Sequence, residues 1–122
     1  MILADTSVWV GHFRAANPQL QELLAKGRIL THPFVVGEIA CGQLRQRAVI
    51  LDALKRLPQA LVASHEEVLR LIEERRLSGT GLGWVDVHLL ASALLTGCRL
   101  WTLDRRLRHA AEELLRLAGQ EK

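Results

Sequence analysis

Four carboxylates in this 122-residue chain have surroundings that an ordinary surface acid lacks. On a helix, a solvated acid commonly has a base three or four residues away, because those positions are neighbours on one face. Glu22 with Lys26, Asp52 with Lys55 and Arg56, and Glu66 and Glu67 with Arg70 follow that rule. Glu38 does not: Phe34, Val35, Cys41 and Gly42 occupy those positions, which places it on an apolar face. Asp86 has Leu82, Gly83, Leu89 and Leu90 there, so its helix turns a carboxylate inward with no base on its turn. Asp5 ends the apolar run Met1-Ile2-Leu3-Ala4, and Asp104 follows Arg99-Leu100-Trp101-Thr102-Leu103, so each closes a strand-like segment. A buried, unpartnered carboxylate shifts its pKa, finds a donor or coordinates a metal. Helix N-capping explains Asp5 and Asp104 equally well when each is taken alone, since Asp is a favoured cap and a helical pattern follows. The four together favour convergence on one site.

Crowded carboxylates repel one another unless a cation neutralises them, and all-oxygen ligation suits one or two Mg²⁺ or Mn²⁺ ions. Such ions align a water and offset charge developing on a phosphodiester, so the expected chemistry is phosphodiester hydrolysis. The charge balance agrees. Sixteen Lys and Arg face thirteen acids, and setting the four site acids aside leaves nine, a basic exterior suited to a polyanion. Arg105, Arg106 and Arg108 follow Asp104 closely and are expected to line the approach and hold the backbone of such a polyanion. A solvated helix face explains them as well.

The elements that must position these residues follow from the pattern. Hydrophobic residues at 49% and charged residues at 24% describe a globular chain, and the length suits one domain over residues 1–122. The apolar start is cut by Asp5 and no apolar run approaches the roughly 20 residues of a membrane span, so no membrane association and a cytoplasmic location are expected. Cys41, Cys98 and the five histidines show no ligand spacing and read as structural, the cysteines as core residues. Strands are expected over residues 1–4, 28–31, 59–62 and 99–103. Helices are expected over 7–13, 18–26, 33–44, 48–57, 64–77, 84–95 and 104–117. Ser64 with Glu67 forms a capping box. Alternating strands and helices imply an α/β fold, a short four-stranded parallel sheet with helices on both faces. Ligands bind at the carboxyl edge of such sheets. The glycine-rich stretch at 78–83 has neither the dinucleotide nor the Walker spacing and reads as a turn.

Met1-Ile2-Leu3-Ala4-Asp5-Thr6-Ser7, Glu38 in an apolar helix, Gly83-Trp84-Val85-Asp86-Val87-His88-Leu89-Leu90-Ala91-Ser92-Ala93 and Leu100-Trp101-Thr102-Leu103-Asp104 together resemble the PIN domain as found in VapC-type toxins of bacterial toxin–antitoxin systems. The resemblance spans nearly the whole chain. It implies that Asp5, Glu38, Asp86 and Asp104 bind one or two Mg²⁺ or Mn²⁺ ions, that the reaction is endonucleolytic cleavage of RNA, and that the hydroxyl of Thr6 or Thr102 supports the ligands. It also implies a homodimer and a cognate VapB-like antitoxin whose peptide lies near the first strand. Trp9 and Phe13 are candidates for that groove, against plain core packing. Many relatives add a further strand at the end, whereas residues 116–122 here read as a helix end, leaving the fifth strand open. Two other functions compete: an RNA-processing nuclease outside a toxin–antitoxin pair, and a non-catalytic RNA-binding module. The second gains nothing from buried negative charge. An aspartyl-phosphate enzyme would want a second acid where Ser7 stands.

Overall fold

The computed structural model describes residues 1–120, with side chains as far as Leu115. Three strands, β1 (Ile2–Ala4), β2 (Ile29–Leu30) and β3 (Arg99–Trp101), form a parallel sheet in the order β2-β1-β3. Leu3 and Ala4 of the central strand are both fully buried. Successive strand residues point to opposite faces, so both faces of the sheet are covered, as the unbroken apolar run requires.

From β1 the chain passes through α1 (Thr6–Arg14) and α2 (Pro18–Ala25) to β2. It then runs through α3 (Pro33–Cys41), α4 (Arg47–Arg56), α5 (His65–Glu74) and α6 (Trp84–Thr96) to β3 on the other side of β1, and ends in α7 (Arg105–Gln120). The winding direction reverses at β1, which opens a crevice at the carboxyl end of β1 and β3. Register fixes what lies there. Ala4 pairs with Trp101 and the Asp5 N–H donates to the Trp101 carbonyl at 2.9 Å, so Asp5 stands beside Thr102.

The sheet has three strands, not the expected four. Residues 59–62 contribute a single parallel bridge, Gln59 to Thr31. Pro33 begins α3 two residues after that bridge opens, so β2 has no length left to pair with. The Leu61 N–H is taken by the Thr96 hydroxyl at 2.9 Å, and Leu61 and Val62 are exposed. No fifth strand forms among the described residues, because α7 continues to Gln120; residues 121–122 lie outside them.

Local chemistry explains the helix starts. Asn17 accepts the Leu20 N–H ahead of Pro18, and His32 accepts the Phe34 N–H ahead of Pro33. Ser64 and Glu67 cap each other's backbone, as expected. Helix α6 is the internal column, buried continuously from Val87 to Ala93. Leu89 and Ala93 pack into the core of the sheet, Val87 and Ala91 against Ala63 and Val68, and Leu90 against Leu107, Ala111 and Leu114. Each such leucine contributes roughly 1.5–3 kcal/mol by burial. The N-terminal turn of α6, which carries Asp86, lies outside this enclosure, as does its last turn at Leu95. Of the cysteines, Cys98 is a core residue, whereas Cys41 is exposed at the end of α3.

Candidate active site

Asp5 occupies the N-cap position of α1, yet its side chain makes no capping hydrogen bond. It is 7% exposed, and its Oδ2 accepts from Thr102 Oγ1 at 2.6 Å and from Ser7 Oγ at 2.9 Å. Those hydroxyls are themselves fixed: Ser7 Oγ accepts the Leu103 N–H at 3.0 Å and Thr102 Oγ1 the Asp104 N–H at 3.1 Å. The edges of β1 and β3 are therefore tied together through one carboxylate oxygen. Capping does not account for this aspartate.

Asp104 is exposed and does cap its helix, with Oδ1 accepting the Leu107 N–H at 2.9 Å. Asp86 is half-buried, and its Oδ2 accepts the Gly83 N–H at 2.9 Å. Burial pushes the Asp86 pKa above the ordinary carboxylate value, the Gly83 bond partly opposes this, and the charges of Asp5 and Asp104 push it up further. These three acids thus share one electrostatic field. Glu38 is placed differently from the expectation: it is exposed, not on a buried face. Val35 and Ile39 are the residues of α3 that enter the core, whereas Phe34, Cys41 and Gly42, the other neighbours that suggested an inward acid, are partly or fully exposed. Glu38 Oε1 accepts from Thr6 Oγ1 at 2.7 Å, which links it to the residue after Asp5. The two expected supporting hydroxyls hold different acids, Thr6 the glutamate and Thr102 the aspartate.

Each of the four carboxylates thus has one oxygen anchored by a hydrogen bond, while its second oxygen accepts none among the described residues. An oxygen-only donor set under mutual repulsion fits a hard divalent cation. Among the described residues, no three Asp, Glu, His or Cys side chains already close on one point tightly enough to hold an ion.

Ser7 is the residue that sequence reasoning missed. Its signal was the second hydroxyl of Asp5-Thr6-Ser7, which spacing alone could not assign to the acid behind it. We expect Thr102→Val, which leaves Asp5 one donor short and strands the Asp104 N–H, to cost roughly 1–3 kcal/mol in a denaturant melt. Removal of this support should also slow catalysis about tenfold or more in a cleavage assay.

The three arginines after Asp104 are exposed but do not form one patch. Arg106 lies over the glycine-rich loop, whereas Arg108 faces a cavity shared with Arg99, Trp101 and Glu112. Trp9 is buried and Phe13 packs against the core, so both are accounted for by packing. The aromatic column His32, Phe34, His88, Trp84 and His65 runs from α3 across α6 to α5, with neighbouring rings 4.5 to 5.3 Å apart.

The family model described as the PIN domain matches residues 2–113. The chain is 54% identical over 114 residues to Ribonuclease VapC32 of Mycobacterium tuberculosis, in the CDC 1551 / Oshkosh and the H37Rv strains alike, covering 93% of this chain and 92% of that protein. The crystal structure of PAE2754 from Pyrobaculum aerophilum superposes with a TM-score of 0.60 at 19% identity, over 98% of this chain and 89% of that one, which is a likeness of fold.

Proposed function

Because the chain belongs to the PIN-domain family, among the VapC-type ribonucleases, we propose that the carboxyl edge of its sheet cleaves RNA with the help of Mg²⁺ or Mn²⁺, as the toxin of a toxin–antitoxin pair. One observation carries the chemistry: Asp5 is delivered by a buried strand and held by two hydroxyls, and its charge, with that of Asp104, adds to the burial that opposes ionisation of Asp86. Asp5, Asp86 and Asp104, with Glu38 beside them, are the residues that would hold the cation. A bound divalent ion would supply the charge that aligns a water and offsets the developing charge on the phosphodiester.

The chain's own residues do the rest. Ser7 and Thr102 fix the direction of the Asp5 carboxylate, and Thr6 fixes Glu38. Asp104 is held at the start of α7, so the acids stand on two strand ends and two helices that the core makes rigid. An unstacked, single-stranded or looped RNA is the substrate form that brings a phosphodiester to this shallow edge.

We read residues 1–122 as one domain, with a VapB-like antitoxin and a second copy of the chain as protein partners. The exposed Leu61, Val62, Leu69 and Leu95 supply apolar surface for such contacts. Among the described residues no helix is long and apolar enough to cross a membrane. A cytoplasmic location goes with an RNA substrate.

Incubation with single-stranded RNA in Mg²⁺ should yield endonucleolytic fragments, and excess EDTA should abolish them. Equal rates in EDTA and in Mg²⁺ would exclude metal-assisted cleavage.

A further inference from the structure

A second recessed surface lies between the end of α5, the glycine-rich loop and α7. It encloses about 400 Å³, within the ~300–1,000 Å³ of small-molecule sites. Leu77, Leu82 and Leu114 form its apolar floor. Its rim carries Arg75, Arg76, Arg106 and His109, with Glu113 as the one acid among the lining residues. Arg75, Arg76 and Arg106 form no ion pair among the described residues, so the rim is left cationic.

The backbone is adapted to this arrangement. Arg76 adopts a φ of +54°, uncommon outside glycine, and so turns the chain sharply after α5. Gly81, at φ +89°, leaves the space that Arg106 fills: a Cβ there would lie 2.7 Å from Arg106 Nη1 and 2.9 Å from its Cδ. The guanidinium of Arg106 is therefore seated on bare backbone in the cavity that Arg75 and Arg76 also line. The surface adjoins the acids in sequence at both ends, since Leu82 lies four residues before Asp86 and Arg106 two after Asp104.

An apolar floor under a cationic rim matches the two halves of a nucleotide. We propose that this cavity is an RNA subsite outside the acids, taking one unstacked nucleotide with its base on the leucines and its flanking phosphates on Arg75, Arg76 and Arg106. The inference rests on the ribonuclease reading above and extends it to where the strand is gripped away from the cut.

The test reads binding without cleavage. Fluorescence anisotropy of a labelled single-stranded RNA 12-mer in EDTA, titrated at several salt concentrations, compares wild type with the double variant Arg75→Ala/Arg76→Ala. Both residues are exposed, and an unchanged circular dichroism melt confirms the fold. Each single-strand phosphate contact contributes about 0.7 to the slope of log affinity against log salt, so the double variant should lose about 1.4 of slope. Affinity at low salt should fall roughly tenfold. The double lysine variant, which keeps the charges, should retain most of the slope. An unchanged slope in the alanine variant overturns the subsite, as does unchanged RNA binding with weakened binding of an antitoxin peptide. A wild type that binds RNA in this way yet cleaves none would sink the nuclease reading and leave the subsite standing; cleavage with an unaltered slope does the reverse.

Discussion

Asp86→Asn is expected to lower RNA cleavage by roughly a hundredfold or more while leaving the metal-free protein as stable as wild type or more so. The substitution keeps the shape of the side chain, and the amide oxygen can still accept the Gly83 N–H that closes the first turn of α6. What it removes is charge. Asp86 has a raised pKa in the folded protein, so its ionised form is penalised by folding: this contribution to stability is most favourable at low pH and is lost as pH rises through the folded pKa. At neutral pH, without a cation, the neutral amide escapes both the burial penalty and the repulsion from Asp5 and Asp104. An Asp86 whose role was to be an anion in the core would behave oppositely and lose roughly 1–3 kcal/mol. Thermal melts in EDTA beside cleavage assays in Mg²⁺ separate the two. A variant that melts much lower yet cleaves at the wild-type rate would remove Asp86 from the chemistry.

Acid should destabilise the protein through His32. This residue is fully buried at the start of α3, with Nδ1 accepting the Phe34 N–H at 3.0 Å and Nε2 3.0 Å from Ser92 Oγ. The Phe34 bond leaves Nε2 to carry the proton and donate to Ser92, so the neutral ring satisfies both neighbours. A second proton would have to sit on Nδ1, against an N–H. Burial, and secondarily the charge of His88, lower the His32 pKa to about 4. The pKa of His88 is lowered as well, by burial and then by His65.

For a histidine with a depressed folded pKa, the stabilising contribution is complete above the unfolded value near 6.5 and is lost as pH falls from there toward 4. The loss from His32 should reach roughly 2–3 kcal/mol. Urea unfolding at about pH 7 and about pH 4.5 measures it. A His32→Gln variant should show a flatter dependence over the same interval, and an equal dependence in both proteins would assign the acid lability elsewhere.

The sequence by itself determined that an apolar strand ends at Asp5, that Asp86 stands on the first turn of an enclosed helix, and that Asp104 follows a strand edge. These are local statements. An unbroken apolar run has to be covered on both faces, and an acid inside a helical pattern of leucines has no neighbouring base to pair with. The helix starts at Pro18 and Pro33, the capping box of Ser64 with Glu67 and the helix end after residue 95 were equally local, because a proline, a hydroxyl or a glycine acts within one turn.

Tertiary structure decided the rest. Residues 59–62 have the composition of a strand, but Pro33 shortens the neighbour they would need, and strand pairing belongs to two segments at once. Glu38 has apolar helical neighbours, but which side of α3 is packed depends on where the sheet lies, and that side carries Val35 and Ile39. Whether the Asp5 carboxylate caps α1 or binds elsewhere was decided by Ser7 and by Thr102, the latter 97 residues away in sequence. Arg106 and Arg108 are two residues apart, yet helical geometry and the bare backbone of Gly81 send them to different cavities. Sequence spacing fixes which residues share a turn; contacts between distant segments fix what each side chain meets.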